Sequence, residues 1–495
     1  MGLKSTLAKP FASRVAAKVK RDSQQALKHQ TQLLADLIKS AAHTQFGKDH
    51  HFSDIKTHQE LIESVPIRDY EEIKPYIEKI KAGEENVLWK GKPLYFAKTS
   101  GTTSGVKYIP ISKESIPFHI RAARNALLCY IAETGNSNFV DGKMIFLSGS
   151  PELETIQGIH TGRLSGIVNH HVPKYLTKNR LPSFDTNCIE DWEIKLDAIV
   201  QETIHQDMRL ISGIPPWMQM YFDRLVEKSG KNIASLFKNL SVIAHGGVNF
   251  EPYKAKLFDT IGKRIDTIET FPASEGFFAY QDSQHHEGLL LNTHAGMYFE
   301  FIPAAEIFDA QPKRLSLAEV ELHVNYALII HSNAGLWGYN IGDTIKFVSL
   351  QPYRVVVTGR IKHFISAFGE HVIAEEVEHA MRVASEKFGV KTIEYSVAPF
   401  IASDGGFSYH EWFVEFEQAP DNLEVFEAEL DAQLCLKNIY YDDLIRGHIL
   451  SRLKIRVLPK HAFIDYMKSI GKLGGQNKVP RLSNDRNIAE ALSKS

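Results

Sequence analysis

The chain has 495 residues, 43% of them hydrophobic, which is enough for two or three domains with substantial cores. With 57 basic and 59 acidic residues the formal charge is −2, which excludes general electrostatic attraction to nucleic acid. Three widely spaced cysteines exclude a disulfide framework and favour a cytoplasmic location, and no apolar stretch is long enough to span a bilayer.

The first predicted element is a basic amphipathic helix over the first 21 residues. Six basic residues precede the first acid, Asp22, and apolar residues recur at every fourth position from Leu3 to Val19. Such a helix suits weak contact with an anionic membrane surface. The alternative, which we prefer at this point, is an ordinary terminal helix packed on its domain.

Helical patterns at residues 24–46 and 60–81 precede a segment rich in Ser, Thr and Gly, which lies between two short strand-like runs. Its hydroxyl groups, small residues and cation predict a phosphate-binding loop, because backbone amides can approach an anion closely there. The loop residues are Ser100, Gly101, Thr102, Thr103, Gly105 and Lys107. Their spacing is not that of a Walker A loop. The alternative is a flexible Ser/Gly hairpin.

After a helix predicted at about residues 113–133, strands and helices alternate up to residue 276, which favours α/β layering with a largely parallel sheet. Polar turns follow several strands. Gly246-Gly247-Val248 would let a flat ring lie against the backbone, and Ser274-Glu275 offers a carboxylate suited to Mg²⁺. Asp343 could accept two hydrogen bonds from a ribose diol. Each of these segments alone is more often a turn than a ligand site.

From residue 288 to 350 the sequence pattern predicts mostly strands. After Arg360 the predicted elements change again to a mixture of helices and strands. There a helix, two strands, a helix and a strand follow one another, which predicts a small α+β unit. We therefore predict an N-terminal domain over residues 1–359 and a C-terminal cap over residues 360–495, with the Arg360 guanidinium where the two meet.

Taken in order, the motifs resemble those of the adenylate-forming (acyl-activating) enzyme superfamily, and within it the auxin-responsive Gretchen Hagen family of acyl acid amido synthetases. The segments that carry the resemblance are Thr99–Lys107, Phe271–Gly276, Tyr339–Asp343 and Gln476–Arg481. The resemblance implies an α/β fold: a large N-terminal α/β domain that binds ATP and the acyl acid, and a smaller, mobile α+β C-terminal domain.

The implied reaction has two steps. A carboxylic acid and ATP form an acyl-adenylate with release of pyrophosphate, and the acyl group then passes to the amine of an amino acid. By similarity, Ser100 to Lys107 would hold the phosphates, Gly246, Gly247 and Val248 would line the adenine, and Ser274, Asp343 and Arg360 would complete the nucleotide site. Glu275 would hold Mg²⁺.

Lys478 would bridge the carboxylate and the α-phosphate, and Arg481 would anchor its loop. The alternative for Lys478 is a solvated surface lysine, with Lys472 as a nearby competitor.

The chain departs from the family pattern in two places. Phe271 stands where many relatives have Tyr, and Arg360-Ile361-Lys362 replaces the Arg-x-Asp of many hinges. Two alternative functions remain open. One is an acyl-CoA or other thioester-forming ligase, and the other is a non-catalytic, membrane-associated nucleotide-binding protein.

Overall fold

The computed structural model describes residues 2–102, 105–172, 178–247, 250–304, 306–307, 309–361, 364–365, 367–370, 372–402, 407–470, 479 and 481–493. The chain divides into two compact units. The larger unit comprises Met1–Thr99, Lys107–Ile189 and Ile194–Ile361, and the smaller unit comprises Ser100–Val106, Glu190–Glu193 and Lys362–Ser495. A large N-terminal and a smaller C-terminal domain were expected, but the boundary between residues 359 and 360 stays a prediction.

The helices of the larger unit lie mainly before and between its strands. They are α1 (Leu3–Gln24), α2 (Ala26–Ala41), α3 (Gln45–Asp49), α4 (His58–Ser64), α5 (Tyr70–Lys81), α6 (Ile116–Thr134), α7 (Leu164–Asn169), α8 (Phe184–Cys188), α9 (Trp192–Thr203), α10 (Pro215–Ser229), α11 (Ile233–Leu236) and α12 (Glu251–Ile261). Helix α9 begins within the segment that groups with the smaller unit.

Two sheets organise the strands of this part of the chain. The strands are β1 (Tyr95–Thr102), β2 (Gly105–Ile111), β3 (Lys143–Phe146), β4 (Glu154–Ile156), β5 (Ile159–Gly162), β6 (Arg180–Leu181), β7 (Met208–Gly213), β8 (Val242–Gly246), β9 (Asp266–Pro272), β10 (Phe277–Tyr280), β11 (Leu289–Leu291), β12 (Met297–Pro303), β13 (Asn325–Ser332), β14 (Tyr339–Leu350) and β15 (Tyr353–Arg360). Among the described residues, the first sheet has the order β2-β1-β5-β4 and the second has the order β12-β13-β14-β15-β11-β10-β9-β8-β7-β3-β6.

The second sheet is parallel on one side only. Strands β6, β3, β7, β8 and β9 pair in parallel, whereas β9 to β15 and on to β12 pair antiparallel. The expectation of a largely parallel sheet concerned the segment up to residue 276, where helices alternate with strands, and it is confirmed there. Beyond that segment the described chain has no crossover helix between the strands of this sheet, and the strands pair antiparallel.

Aromatic side chains form the centre of the larger unit's core. Trp337 is fully buried, with the rings of Phe52, Trp89 and Phe46 at 4.7, 6.1 and 6.2 Å between centroids. Its indole N–H donates to the Leu88 carbonyl at 2.9 Å. This core fixes the start of β14, since Trp337 lies two residues before that strand.

The predicted helix, two strands, helix and strand occur in the described part of the smaller unit in that order, together with two short strands before them and three further helices. It contains β16 (Phe364–Ile365), β17 (Val372–Ile373), α13 (Ala374–Phe388), β18 (Lys391–Phe400), β19 (Tyr409–Gln418), α14 (Leu423–Lys437), α15 (Ile439–Arg446), β20 (Lys454–Val457), α16 (Ala462–Ser469) and α17 (Asn487–Leu492). Strands β18, β19 and β20 form one sheet. In the described part of the chain, none of the helices combines the length and the apolar character that crossing a membrane requires.

Candidate functional site

The predicted phosphate loop lies at the tip of a β-hairpin. Strand β1 continues to Thr102 and β2 begins at Gly105, so most of the segment expected as a loop is extended. Its tip, Ser100–Val106, groups with the smaller unit. Thr103 lies outside the described residues, as do the side chains of the other predicted phosphate ligands from Ser100 to Gly105.

Lys107 stands in β2 and packs on an aromatic ring that sequence reasoning did not single out. Its Nζ lies 5.7 Å from the ring centroid of Tyr70, the first residue of α5. The Tyr70 hydroxyl accepts a hydrogen bond from the Tyr108 backbone N–H at 2.8 Å, and burial raises the pKa of this tyrosine. Tyr70 therefore supports the stem of the hairpin. The local motif gives no signal for it, because the residue precedes the motif by about thirty positions.

Gly246 ends strand β8, where it pairs with Thr270 of the parallel strand β9. A Cβ placed on Gly246 would stand 2.2 Å from the Thr270 carbonyl oxygen, so no other residue fits without separating the strands. The Thr270 hydroxyl also donates to the His245 carbonyl at 2.9 Å. This close approach gives Gly246 a packing role that is independent of any ligand. Val248 lies outside the described residues.

Ser274 and Glu275 occupy the two central positions of the turn between β9 and β10. Ala273 N–H donates to the Gly276 carbonyl at 2.8 Å, and Gly276 N–H donates back at 3.3 Å. A Cβ on Gly276 would stand 2.2 Å from the Met297 sulfur, so a larger residue there would require the methionine side chain to move. The carboxylate therefore lies on a short turn fixed by two hydrogen bonds.

The glycine pair and the carboxylate turn share one edge of the sheet. Strands β8 and β9 run parallel, so Gly247 and Ser274 follow carboxyl ends on the same side. Phe271, which precedes the turn, is only 9% exposed and packs 5.0 Å from the Phe278 ring. Most of its surface therefore belongs to the core.

Asp343 and Arg360 form a second group. They are cross-strand partners, with Asp343 at the fifth position of β14 and Arg360 at the end of β15, and Asp343 is 9% exposed. Ile361 N–H donates to the Gly342 carbonyl at 2.8 Å, which extends the pairing past Arg360. The Arg360 side chain lies outside the description.

The strand register separates these two groups along the sheet. Gly246, Thr270, Tyr280, Leu290 and Arg354 form one row of partners across β8, β9, β10, β11 and β15. Glu275 lies beyond this row in one direction, and the Asp343–Arg360 pair lies beyond it in the other. The strand pairing places Glu275 on the same sheet edge as the glycine pair, but it does not by itself bring Glu275 close to Asp343. The ligand-binding roles assigned to these residues stay predictions.

Lys478 and Lys472 lie outside the described residues, but Arg481 is described and is firmly anchored. It donates to the Tyr395 carbonyl at 3.2 Å, pairs with Glu394 and Glu378, and stacks its guanidinium 4.4 Å over the Tyr395 ring. Arg481 thus fixes the end of its motif to strand β18, as an anchoring residue would.

The described part of the chain contains no cluster of three or more His, Cys, Asp or Glu side chains that could hold a metal ion. A Mg²⁺ that binds nucleotide phosphates keeps several waters and takes only one or two protein carboxylates. A single carboxylate on a fixed turn, as Glu275 provides, is compatible with that donor set.

Comparison with known proteins adds independent findings. The GH3 family N-terminal, central and C-terminal domain models match residues 15–187, 290–360 and 375–487. Jasmonoyl–L-amino acid synthetase JAR4 of Nicotiana attenuata is 20% identical over an alignment of 507 residues, covering 86% of this chain and 85% of that protein. Indole-3-acetic acid-amido synthetase GH3.3 of Arabidopsis thaliana is 30% identical over 207 residues, 39% of this chain and 35% of that protein.

Two solved structures share the fold. AtGH3.15 acyl acid amido synthetase in complex with 2,4-DB superposes with a TM-score of 0.61 at 14% identity, over 97% of this chain and 95% of that chain. 2-Hydroxyisobutyryl-CoA ligase in complex with 2-HIB-AMP and CoA gives 0.57 at 12% identity, over 98% and 93%. With its ordered motifs and three matching domain models, the chain belongs to the GH3 family.

Proposed function

We propose that this protein is an ATP-dependent acyl acid amido synthetase, a ligase that joins a small carboxylic acid to the amine of an amino acid. The observation that carries the proposal is the match of all three GH3 domain models to one chain. Of the relatives quoted above, one is named a jasmonoyl–L-amino acid synthetase and one an indole-3-acetic acid-amido synthetase. Similarity of fold alone does not identify the molecule that accepts the acyl group, because a CoA ligase has a similar fold.

In the first step, a carboxylate oxygen attacks the α-phosphorus of ATP, and the bond from that phosphorus to the bridging oxygen of pyrophosphate breaks. Both reactants are anionic, so cations and N–H donors have to offset their repulsion. Lys107 on the hairpin stem and Lys478 in the C-terminal motif would supply that charge. Glu275 would hold Mg²⁺, which when bound screens the phosphate oxygens.

In the second step, the amine nitrogen attacks the acyl carbon, the bond from that carbon to AMP breaks, and the nitrogen gives up a proton to solvent or base. Gly246, Gly247 and Val248 would line the adenine, and Asp343 would accept hydrogen bonds from the ribose. Closure of the smaller unit would exclude water from the adenylate, which hydrolyses readily. A cytoplasmic location is part of the proposal and is supported by the three cysteines, which form no disulfide.

The proposal is tested by incubating the full chain with ATP, Mg²⁺, a panel of carboxylic acids and each of the twenty amino acids. Mass spectrometry should detect amide and AMP for at least one pair. A parallel arm replaces the amino acids with CoA, and thioester without amide would instead establish the ligase alternative. Absence of acid-dependent pyrophosphate exchange with every acid would leave a non-catalytic nucleotide binder.

A further inference from the structure

Helix α1 is held firmly against the larger unit by one face. Ser5 and Ala12 are fully buried, and the helix packs along α6. At its start, the N–H groups of Gly2 and Ser5 donate to the two carboxylate oxygens of Asp141 at 2.8 and 3.2 Å. The opposite face of α1 therefore has a fixed orientation, away from the larger unit.

The outward face carries two large apolar side chains one helical turn apart. Leu7 is 63% exposed and Phe11 is 49% exposed. Neither belongs to the core, and together they form an apolar ridge on the outer face of α1. A ridge of this kind is suited to the boundary between headgroups and acyl chains of a bilayer.

Cations surround this ridge. The exposed basic residues of α1 are Lys4, Arg14, Lys18, Lys20 and Arg21. The one acidic residue of the helix, Asp22, already pairs with Lys18 at 2.7 Å. Because the whole chain has a formal charge of −2, this excess of positive charge is a local feature of one surface.

A groove between α1 and α6 extends the basic surface. It holds a cavity of about 150 Å³ whose lining includes Arg121, Arg124 and the Lys18–Asp22 ion pair. The Arg121 guanidinium stacks 5.0 Å over the Phe118 ring, and Arg124 donates to the neutral amide of Asn125 at 3.0 Å. Within the described chain neither arginine forms an ion pair, so both can bind a phosphate group.

We propose that α1 docks this protein onto an anionic membrane surface. Leu7 and Phe11 enter the interface, and the cations of α1 and the groove bind lipid phosphates. A nucleic acid would use the charges alone, whereas the apolar ridge at the centre of the cationic face favours a bilayer. The proposal does not depend on the enzymatic activity proposed above.

The test is cosedimentation of the full chain with phosphatidylcholine vesicles that contain either no phosphatidylserine or about 30% phosphatidylserine. Wild type should pellet only with the anionic vesicles, and added salt should weaken its binding. The double variant Leu7→Ser with Phe11→Ser and the double variant Lys4→Glu with Arg14→Glu should each bind about tenfold more weakly.

Leu436→Ser removes a side chain that is 78% exposed on the smaller unit, and it serves as the matched control that binds like wild type. Circular dichroism melting checks that each variant is folded. Absence of wild-type binding to anionic vesicles at low salt would overturn the proposal. So would undiminished binding by the Leu7/Phe11 variant, since that result would identify a purely electrostatic polyanion surface.

Discussion

Lys107 is the described cation with the most direct predicted role in the chemistry. Its ammonium group lies 5.7 Å from the Tyr70 ring centroid in the hairpin stem, and its predicted role is to bind a phosphate. Removal of one such charge contact typically costs about 3–4 kcal/mol in the transition state. We therefore expect Lys107→Ala to slow acid-dependent pyrophosphate exchange by roughly hundreds-fold.

The matched control is Lys113→Ala, which removes an exposed lysine six residues further along the chain. It should exchange at the wild-type rate. If Lys107→Ala loses only thermal stability, as expected for a cation that merely packs on an aromatic ring, Lys107 is structural.

Gly246 supports a separate prediction about folding. Because a Cβ would meet the Thr270 carbonyl oxygen at 2.2 Å, Gly246→Ala has to push β8 away from β9. We expect a loss of about 1–3 kcal/mol in the free energy of unfolding, measured by urea denaturation. Gly230→Ala, at a left-handed helix end with no atom within 4 Å of the added Cβ, shows the separate loss from a positive φ, about 1–2 kcal/mol. A loss below about 1 kcal/mol in Gly246→Ala would show that the strands relax freely around residue 246.

At the scale of single residues, the sequence identified groups by chemistry but not by packing. The sequence predicts Glu275 as a Mg²⁺ ligand, because a carboxylate beside glycine is a local pattern. The support that Tyr70 gives to the hairpin depends on a contact between α5 and β2, which no local pattern encodes. The packing role of Gly246 likewise depends on a neighbouring strand.

At the scale of elements, a buried charge network joins the N-terminal helices to strands β12 and β13. Arg314 donates to Glu300 through Nε at 2.7 Å and to the Val65 carbonyl at 2.6 Å. His331 lies 3.3 Å from the other Glu300 oxygen. Removal of one partner would leave an uncompensated buried charge, which is strongly destabilising.

This network predicts a pH dependence of stability. Burial alone would raise the pKa of Glu300, but attraction to His331 and Arg314 outweighs burial and lowers it to about 2. Since an unfolded glutamate titrates near about 4.3, this stabilisation is complete above that pH and is lost as pH falls toward 2.

Glu300→Gln should therefore be less stable than wild type at pH 7 and should lose less further stability between pH 5 and pH 3. Urea denaturation at each pH measures this difference. Glu78→Gln, which removes an exposed carboxylate paired with Lys81 at 2.9 Å, is the matched control and should change little. A wild-type pH slope in Glu300→Gln would contradict the assignment.

Periodicity predicts elements well where helices and strands alternate. The helix predicted at about residues 113–133 is found as α6, over Ile116–Thr134. Periodicity does not predict how the strands pair after residue 276, because apolar runs do not reveal whether a neighbouring strand is parallel or antiparallel. The row of partner residues from Gly246 to Arg354 comes from five separate strands. The order of these strands in the sheet depends on tertiary packing, which local sequence does not reveal.

At the scale of the whole molecule, the proposed two-step reaction would assign different tasks to the two units. The family resemblance implies that the smaller unit turns between the half-reactions, and closure of loops or domains is a step in many enzymes. Within that unit, Arg481 fixes the downstream end of the motif that contains Lys478 to strand β18. A lysine needed to offset charge at the α-phosphate should matter for acyl-AMP formation and not for its consumption.

Lys478→Ala should therefore reduce pyrophosphate exchange by roughly hundreds-fold and leave amide formation from a preformed acyl-AMP nearly unchanged. The two steps are measured separately, by exchange of labelled pyrophosphate and by rapid quench with synthetic adenylate. Lys472→Ala, which removes the competing lysine six residues earlier, should keep both rates. Equal loss of both steps in Lys478→Ala would mean a structural role. A selective loss in Lys472→Ala would move the catalytic assignment to that residue.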